Sequence, residues 1–172
     1  MPGAEFLRGE RLSLRTIEPA DHDFLHTYWN DPSIRYGAVR PVPLDSDDIS
    51  EFVDPNRGIH FLVCRDDTPV GVTILIDIFQ EAGNAELGYW VVPDEQGNGY
   101  ATEAANLCLT HAFHDRGLHK VIARTFGDNN ASKRVLEKLG FEQEGTLRDH
   151  HDLNGEYKDM HLYGIRRTDW ES

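Results

Sequence analysis

Apolar and polar positions alternate with a period of two over residues 11–15, Arg-Leu-Ser-Leu-Arg, which is the spacing of a strand with one buried face. Glu18 and Pro19 then open a stretch of helical spacing that reaches Trp29, with the proline in the first turn, where a missing N–H is harmless. Asn30-Asp31-Pro32-Ser33 breaks it, and prolines with Gly37 make residues 35–44 a loop. The acidic run from Asp45 to Asp48 offers N-caps for a short helix reaching about Val53.

Three strand-like runs follow, at 59–64, 70–79 and 85–92, joined by the short polar links Asp66-Asp67-Thr68-Pro69 and Glu81-Ala82-Gly83-Asn84. Links of this length predict an antiparallel meander. From Tyr100 to Arg116 the period becomes helical, with small residues at Ala101, Ala104, Ala105, Cys108 and Ala112 on one face. Gly117 and Gly140 sit where left-handed C-caps end two helices, the second spanning about 130–139, with a short strand at 121–125 between them. Strands at 141–148 and 157–165 flank the turn Leu153-Asn154-Gly155-Glu156. The order predicts one domain, residues 1–172, of mixed-sheet α/β (α+β) class, with strands 85–92 and 121–125 parallel across a right-handed crossover.

Composition changes this picture in one respect. The 172 residues carry 17 Lys plus Arg against 30 Asp plus Glu, a formal charge of −13 with pI near 5.0. A field of that sign opposes phosphate backbones, which argues against nucleic-acid binding. With 17 Asp and only 4 Lys, the surface is also of a kind suited to concentrated salt, where self-repulsion is screened. Hydrophobic residues make up 39% of the chain, enough for a core, so the charge does not imply disorder. Cys64 and Cys108 lie in apolar runs and read as buried thiols of a reducing compartment. No secretory leader or membrane-length apolar run is visible, so a soluble cytoplasmic protein is expected.

The residues richest in chemistry join strand 85–92 to the Tyr100 helix: Gln96-Gly97-Asn98-Gly99-Tyr100-Ala101-Thr102. Small residues at a helix start leave backbone N–H groups open to an anion, and the helix dipole adds partial positive charge there. A P-loop is excluded because its lysine is missing. A dinucleotide fingerprint is excluded because Thr102 stands at the third glycine position and too little chain follows for a second nucleotide-binding half.

Gln96-x-x-Gly99-x-Ala101 resembles the Gln/Arg-x-x-Gly-x-Gly/Ala motif with which the GNAT superfamily of N-acetyltransferases holds the pyrophosphate of acetyl-CoA. Glu86-Leu-Gly-Tyr-Trp90, Tyr100-Ala-Thr-Glu-Ala104, Asn129-x-x-Ser132-x-x-Val-Leu-Glu-Lys-Leu-Gly-Phe141 and Glu144-Gly-x-Leu-Arg148 extend the resemblance over almost the whole chain. They are similar to the RimJ/RimL-like branch, which acetylates ribosomal-protein N-termini. The resemblance implies a GNAT-like fold: a mixed, mostly antiparallel sheet of about seven strands, with a parallel pair splayed at the cofactor site and about four flanking helices. It implies acetyl-CoA as co-substrate without a metal. The acceptor would be a protein or peptide N-terminal amine or, alternatively, a small amine such as a polyamine or aminoglycoside; a CoA-binding sensor without turnover is the non-enzymatic alternative. The protein would be a monomer or a homodimer.

By the same resemblance, Glu86 takes the amine proton and Ser132 serves the departing thiolate, because the tyrosine that many members place on the second helix is Leu136 here. Trp90, Val91 and Val92 would present backbone to the pantetheine arm. Gln96, Gly97, Asn98, Gly99, Tyr100, Ala101 and Thr102 would hold the pyrophosphate, and Asn129 would also touch the cofactor. From residue type alone, Glu86 is equally a strand surface charge, and Asn129 with Ser132 is equally ordinary helix-start chemistry. His111 and His114 lack a third ligand spaced to make a metal site. His150, His151 and Tyr157 could line the acceptor end.

Overall fold

The computed structural model describes residues 2–37 and 42–171; positions 38–41 of the predicted loop lie outside the described residues. Eight strands form one sheet: β1 (Glu5–Arg8), β2 (Leu12–Arg15), β3 (Ile59–Arg65), β4 (Thr68–Phe79), β5 (Asn84–Val91), β6 (Lys120–Phe126), β7 (Glu142–Leu153) and β8 (Glu156–Arg166). Their order is β1-β2-β3-β4-β5-β6-β8-β7, antiparallel throughout except for β5 with β6. The helices are α1 (His22–Trp29), α2 (Pro32–Arg35), α3 (Ser46–Phe52), α4 (Tyr100–Thr110), α5 (Asn130–Leu139) and α6 (Arg167–Trp170).

The sheet separates two cores. On one face α4 and α5 bury Leu87, Ala105, Leu109, Val121 and Leu136; on the other, α1 and α3 bury Leu25, Ile49, Leu62 and Val72. Strand alternation sends successive side chains of β5 to these two cores in turn, which decides what each can reach.

Most predicted elements stand within a residue or two. The differences have local causes. β1 was not foreseen because this edge strand is mostly exposed, Phe6 included, and so lacks an apolar alternation. Pro32 ends α1 but also begins α2 at the position proline favours, with the Asp31 side chain accepting from the Ser33 N–H. The helix predicted to run to Arg116 widens into a π-helical turn at His111–Asp115, in which the Arg116 N–H reaches back to the His111 carbonyl. β7 and β8 outrun the predicted strands because irregular pairing between Leu147 and His151, with Asp149 at φ 47°, lets the ladder resume as far as the turn. Glycines 117 and 140 do adopt left-handed conformations, at φ 64° and 94°.

Candidate active site

β5 and β6 pair at only three positions, Asn84 with Lys120, Ala85 with Val121 and Glu86 with Ile122, although β5 continues to Val91 and β6 to Phe126. Beyond Glu86 the strands diverge, and a cleft of about 790 Å³ runs through the gap. Alternation gives the gap two chemically different sides. Tyr89 on β5 and Ala123 on β6 belong to the α4/α5 core, and Thr125 shares Ala123's parity; Trp90 packs into the α1/α3 core, on the side shared by Glu86 and Arg124.

On the α4/α5 side the turn after β5 has a backbone that could cradle an anion. Gly97 and Gly99 have φ of 81° and 78°, a region that side chains other than glycine enter at a cost. Gly99 is the N-cap of α4 and no side chain caps that end, so the first N–H groups of α4 stay available to a ligand. Gln96, Gly97, Gly99, Tyr100, Ala101 and Thr102 line the cleft. Asn98 does not; its amide donates to the Glu95 carbonyl at 3.0 Å and tightens the turn. Val92 is buried and gives its N–H to the Val70 carbonyl at 2.9 Å, so it closes the sheet rather than facing the gap, whereas Trp90 and Val91 line it.

The braces of this turn were not visible in the sequence. Arg11, read as the start of a strand, donates from its guanidinium to the Asn98 carbonyl at 2.7 Å and lies over the Tyr100 ring at 5.0 Å. Glu103 on α4 holds Arg11 in place: its carboxylate accepts the Arg11 and Leu12 N–H groups at 2.8 and 3.0 Å and the Arg11 Nε at 2.9 Å. Burial pulls the Glu103 carboxyl upward, but these donors outweigh it and the net shift is below the usual carboxylate value. Arg65 pairs with Glu95 at 3.0 Å and reaches the Tyr100 hydroxyl at 3.4 Å. Further along the cleft Arg134 and Lys138 of α5 add two cations.

Deeper on the same side, Asn129 caps α5, its side-chain oxygen accepting the Ser132 N–H at 3.1 Å. The Ser132 hydroxyl stands 3.0 Å from the Tyr89 hydroxyl. Burial pushes the Tyr89 phenol up to about 12, with the Ser132 contact opposing. The Thr125 hydroxyl and the Trp90 indole N–H, both belonging to residues of the cleft wall, are buried and have no hydrogen-bond partner among the described residues. Leu136 is fully buried.

On the opposite side Glu86 is paired with Arg124 at 3.1 Å. Arg124 was missed because only the observed register, Glu86 opposite Ile122, places it on the same face two residues farther on. Trp90 is ringed by Phe24, Tyr28 and Trp29 at centroid distances of 5.9, 6.4 and 5.3 Å. Asp77, at φ 49° where the β4–β5 ladder shifts register, and His151 also line the cleft. Burial lowers the His151 pKa, helped by the neighbouring His150 and Arg124. Tyr157 is 70% exposed and outside the cleft wall. The histidine pair after α4 is tied elsewhere: His111 to Asp115 at 2.8 Å, His114 against the Trp170 ring. Among the described residues no three potential ligands gather to hold a metal.

A family model described as an acetyltransferase (GNAT) domain matches residues 11–142. The chain belongs to this family. It is an acetyl-CoA-dependent N-acetyltransferase, and its mixed sheet with one splayed parallel pair is the GNAT fold. The uncharacterized N-acetyltransferase p20 of Bacillus licheniformis is 30% identical over 179 residues, covering 96% of this chain and 98% of that one. YdaF of Bacillus subtilis, named as a candidate ribosomal N-acetyltransferase, is 28% identical with 94% of each covered. Among solved structures, spermidine N-acetyltransferase of Vibrio cholerae in complex with CoA and spermine superposes with a TM-score of 0.88 at 26% identity, covering 95% of this chain and all of that one.

Proposed function

We propose that this GNAT enzyme acetylates the N-terminal α-amine of a protein or peptide, as its RimJ/RimL-like motifs suggest, by direct attack on the thioester in the gap between β5 and β6. The observation that carries the reading is the two-sided gap: an anion cradle and hydroxyls on one face, the Glu86 carboxylate on the other. Acetyl-CoA enters from the α4/α5 side with its pyrophosphate on the N–H groups of residues 99–102 and its pantetheine along β5 beyond Glu86, where the Gln96 side chain already donates to the Val91 carbonyl. The amine approaches from the Glu86 side. Glu86 takes its proton directly or through water, the oxyanion collapses, the C–S bond breaks and the sulfur leaves beside Ser132.

An α-amine near pKa ~7.7–8.0 is partly neutral at pH 7, whereas an alkyl amine near ~10.4 is almost wholly charged. Glu86 is already matched by Arg124, which leaves Asp77 as the carboxylate without a cation beside it on that side of the cleft among the described residues, a small surplus with which to gather a polycation. This favours the less basic amine. A second reading, a polyamine acceptor, is supported by the likeness to spermidine N-acetyltransferases and by a groove of about 850 Å³ that shares Phe52, Ile76 and Asp77 with the cleft and carries the carboxylates of Asp48, Asp77 and Glu81, with Glu51 paired to Arg57 and Arg116 as a second cation.

Thiol release from acetyl-CoA, measured with unblocked peptides, the same peptides N-acetylated, and spermidine, separates the two. Turnover on free peptides alone supports the first reading; turnover on spermidine alone replaces it with the second. For Glu86→Gln, a loss of ~100-fold or more near neutral pH that recovers as pH rises identifies the base. An unchanged pH profile removes that role.

A further inference from the structure

The Tyr89–Ser132 contact has a chemical consequence. Tyr89 lies three residues beyond Glu86 and Thr125 three beyond Ile122, so with Glu86 opposite Ile122 the two stand at one level on the diverging arms, both on the α4/α5 side. Ser132, in the first turn of α5, meets Tyr89 there, and all three residues line the cleft. The Tyr89 hydroxyl has two acceptors within reach, the Ser132 hydroxyl at 3.0 Å and the Ser132 carbonyl at 3.4 Å, and the hydroxyl is the shorter. With the second-helix tyrosine position occupied by buried Leu136, a phenol reaches this end of the cleft from β5 instead.

We propose that Tyr89 is a positioning residue for the leaving group: it donates to the Ser132 hydroxyl, which leaves the serine hydrogen free to point at the departing sulfur. This rests on the placement of Ser132 beside the thioester in the reading above.

The pair stabilises the thiolate by hydrogen bonding rather than by giving it a proton. An alkyl thiol titrates near ~8.5, and the buried Tyr89 phenol near about 12. Full transfer from the phenol to the sulfur therefore runs uphill by several pKa units. A donated hydrogen bond has no such penalty, and one hydroxyl feeding another polarises the second. When the tetrahedral intermediate collapses, the C–S electron pair stays on sulfur and Ser132 solvates that charge. The thiolate takes its proton from water on release, while the proton lost by the amine leaves on the Glu86 side. Charges and protons balance without ionising Tyr89.

The test does not need the acceptor to be known. Coenzyme A is bound to the enzyme and its thiolate titrated by ultraviolet difference absorbance. The bound thiol should titrate below free coenzyme A, and Ser132→Ala should raise it by about 0.5–1 unit, the equivalent of one hydrogen bond. Tyr89→Phe, which removes only the hydroxyl, should raise it by a similar or smaller amount. The double variant should equal Ser132→Ala alone, because Tyr89 acts only through Ser132. With a turned-over amine, Tyr89→Phe should lower kcat ~3- to 10-fold while leaving KM for acetyl-CoA unchanged. If Ser132→Ala shifts the thiol and Tyr89→Phe does not, or if the two effects add, the inference is wrong while the Ser132 reading stands. If neither moves it, both are wrong. Thermal melting of each variant identifies any shift due to misfolding, and Tyr89→Trp serves as a deliberately disruptive comparison.

Discussion

Replacing Glu103 with alanine should damage the phosphate turn and the fold together, without touching the chemistry. Three contacts are lost. The Leu12 N–H is in a residue with no exposed surface, so its donor would be left unsatisfied at a cost of ~1–3 kcal/mol. The Arg11 N–H can turn to water, and the half-exposed Arg11–Glu103 ion pair is worth ~0–1 kcal/mol. The sum is about 1–4 kcal/mol, which for a chain of this size lowers Tm by roughly 2–15 °C. Glu103→Gln keeps an amide oxygen for the two N–H groups and should lose about half as much. Because the folded Glu103 carboxyl titrates below its ordinary value, its contribution is complete above the unfolded pKa of ~4.3 and is lost as pH falls through the folded value. The gap between wild type and Glu103→Gln should therefore be constant from pH 5 to 8 and close only in acid. Released from Glu103, Arg11 no longer holds the Asn98 carbonyl, and KM for acetyl-CoA should rise ~3- to 10-fold with kcat unchanged. Calorimetric melting across pH and initial-rate kinetics measure both. An alanine variant melting within a degree of wild type, or one that loses kcat and keeps KM, would refute the bracing role.

Three further outcomes follow from the same geometry. Thr125→Val removes a buried hydroxyl that has no partner among the described residues, so melting should be unchanged or raised, while acetyl-CoA affinity falls ~3- to 10-fold if the ligand is that hydroxyl's partner; a clear fall in Tm would show that the hydroxyl already has a structural one. Paired replacement of Arg134 and Lys138 by alanine should weaken acetyl-CoA binding and flatten its dependence on ionic strength, read by titration calorimetry at several salt concentrations; an unaltered salt slope would remove them from the binding surface. Raising salt from low to molar concentration should raise Tm, since exposed ion pairs contribute little while the self-repulsion of 13 excess negative charges is screened; equal melting in both would contradict a surface suited to salt.

The order of elements was legible because β3, β4 and α5 satisfy local rules: apolar runs bounded by turn residues, and capping residues at the ends that the structure uses as caps. Asn129 caps α5 and Gly140 ends it, both as sequence spacing requires. The turn proposed to cradle the pyrophosphate was legible as a turn for the same reason, being made of contiguous residues whose glycines its backbone needs. What sequence could not supply was register. Arg124 meets Glu86, and Tyr89 meets Ser132, only because parallel pairing stops after Glu86–Ile122 and the strands part there. Arg11 meets Glu103 across 92 positions of chain, and no local signal marks either residue. Neighbours in sequence announce themselves by period and turn chemistry; partners brought together by the sheet do not.

That distinction also explains how a chain of charge −13 holds a polyanion. The two guanidinium groups nearest the cradle are matched by carboxylates, Arg11 by Glu103 and Arg65 by Glu95, so neither adds a full uncompensated charge. Their role is to fix the turn that aims the N–H groups. A backbone donor needs no counterion and cannot be screened as an exposed side chain can, and its strength depends on direction at close range. Attraction at the turn itself would then depend little on surface composition, and the salt-dependent share of binding falls to Arg134 and Lys138 farther along the cleft. Had the site relied on lysines against that field, each carboxylate added to the surface would have weakened cofactor binding.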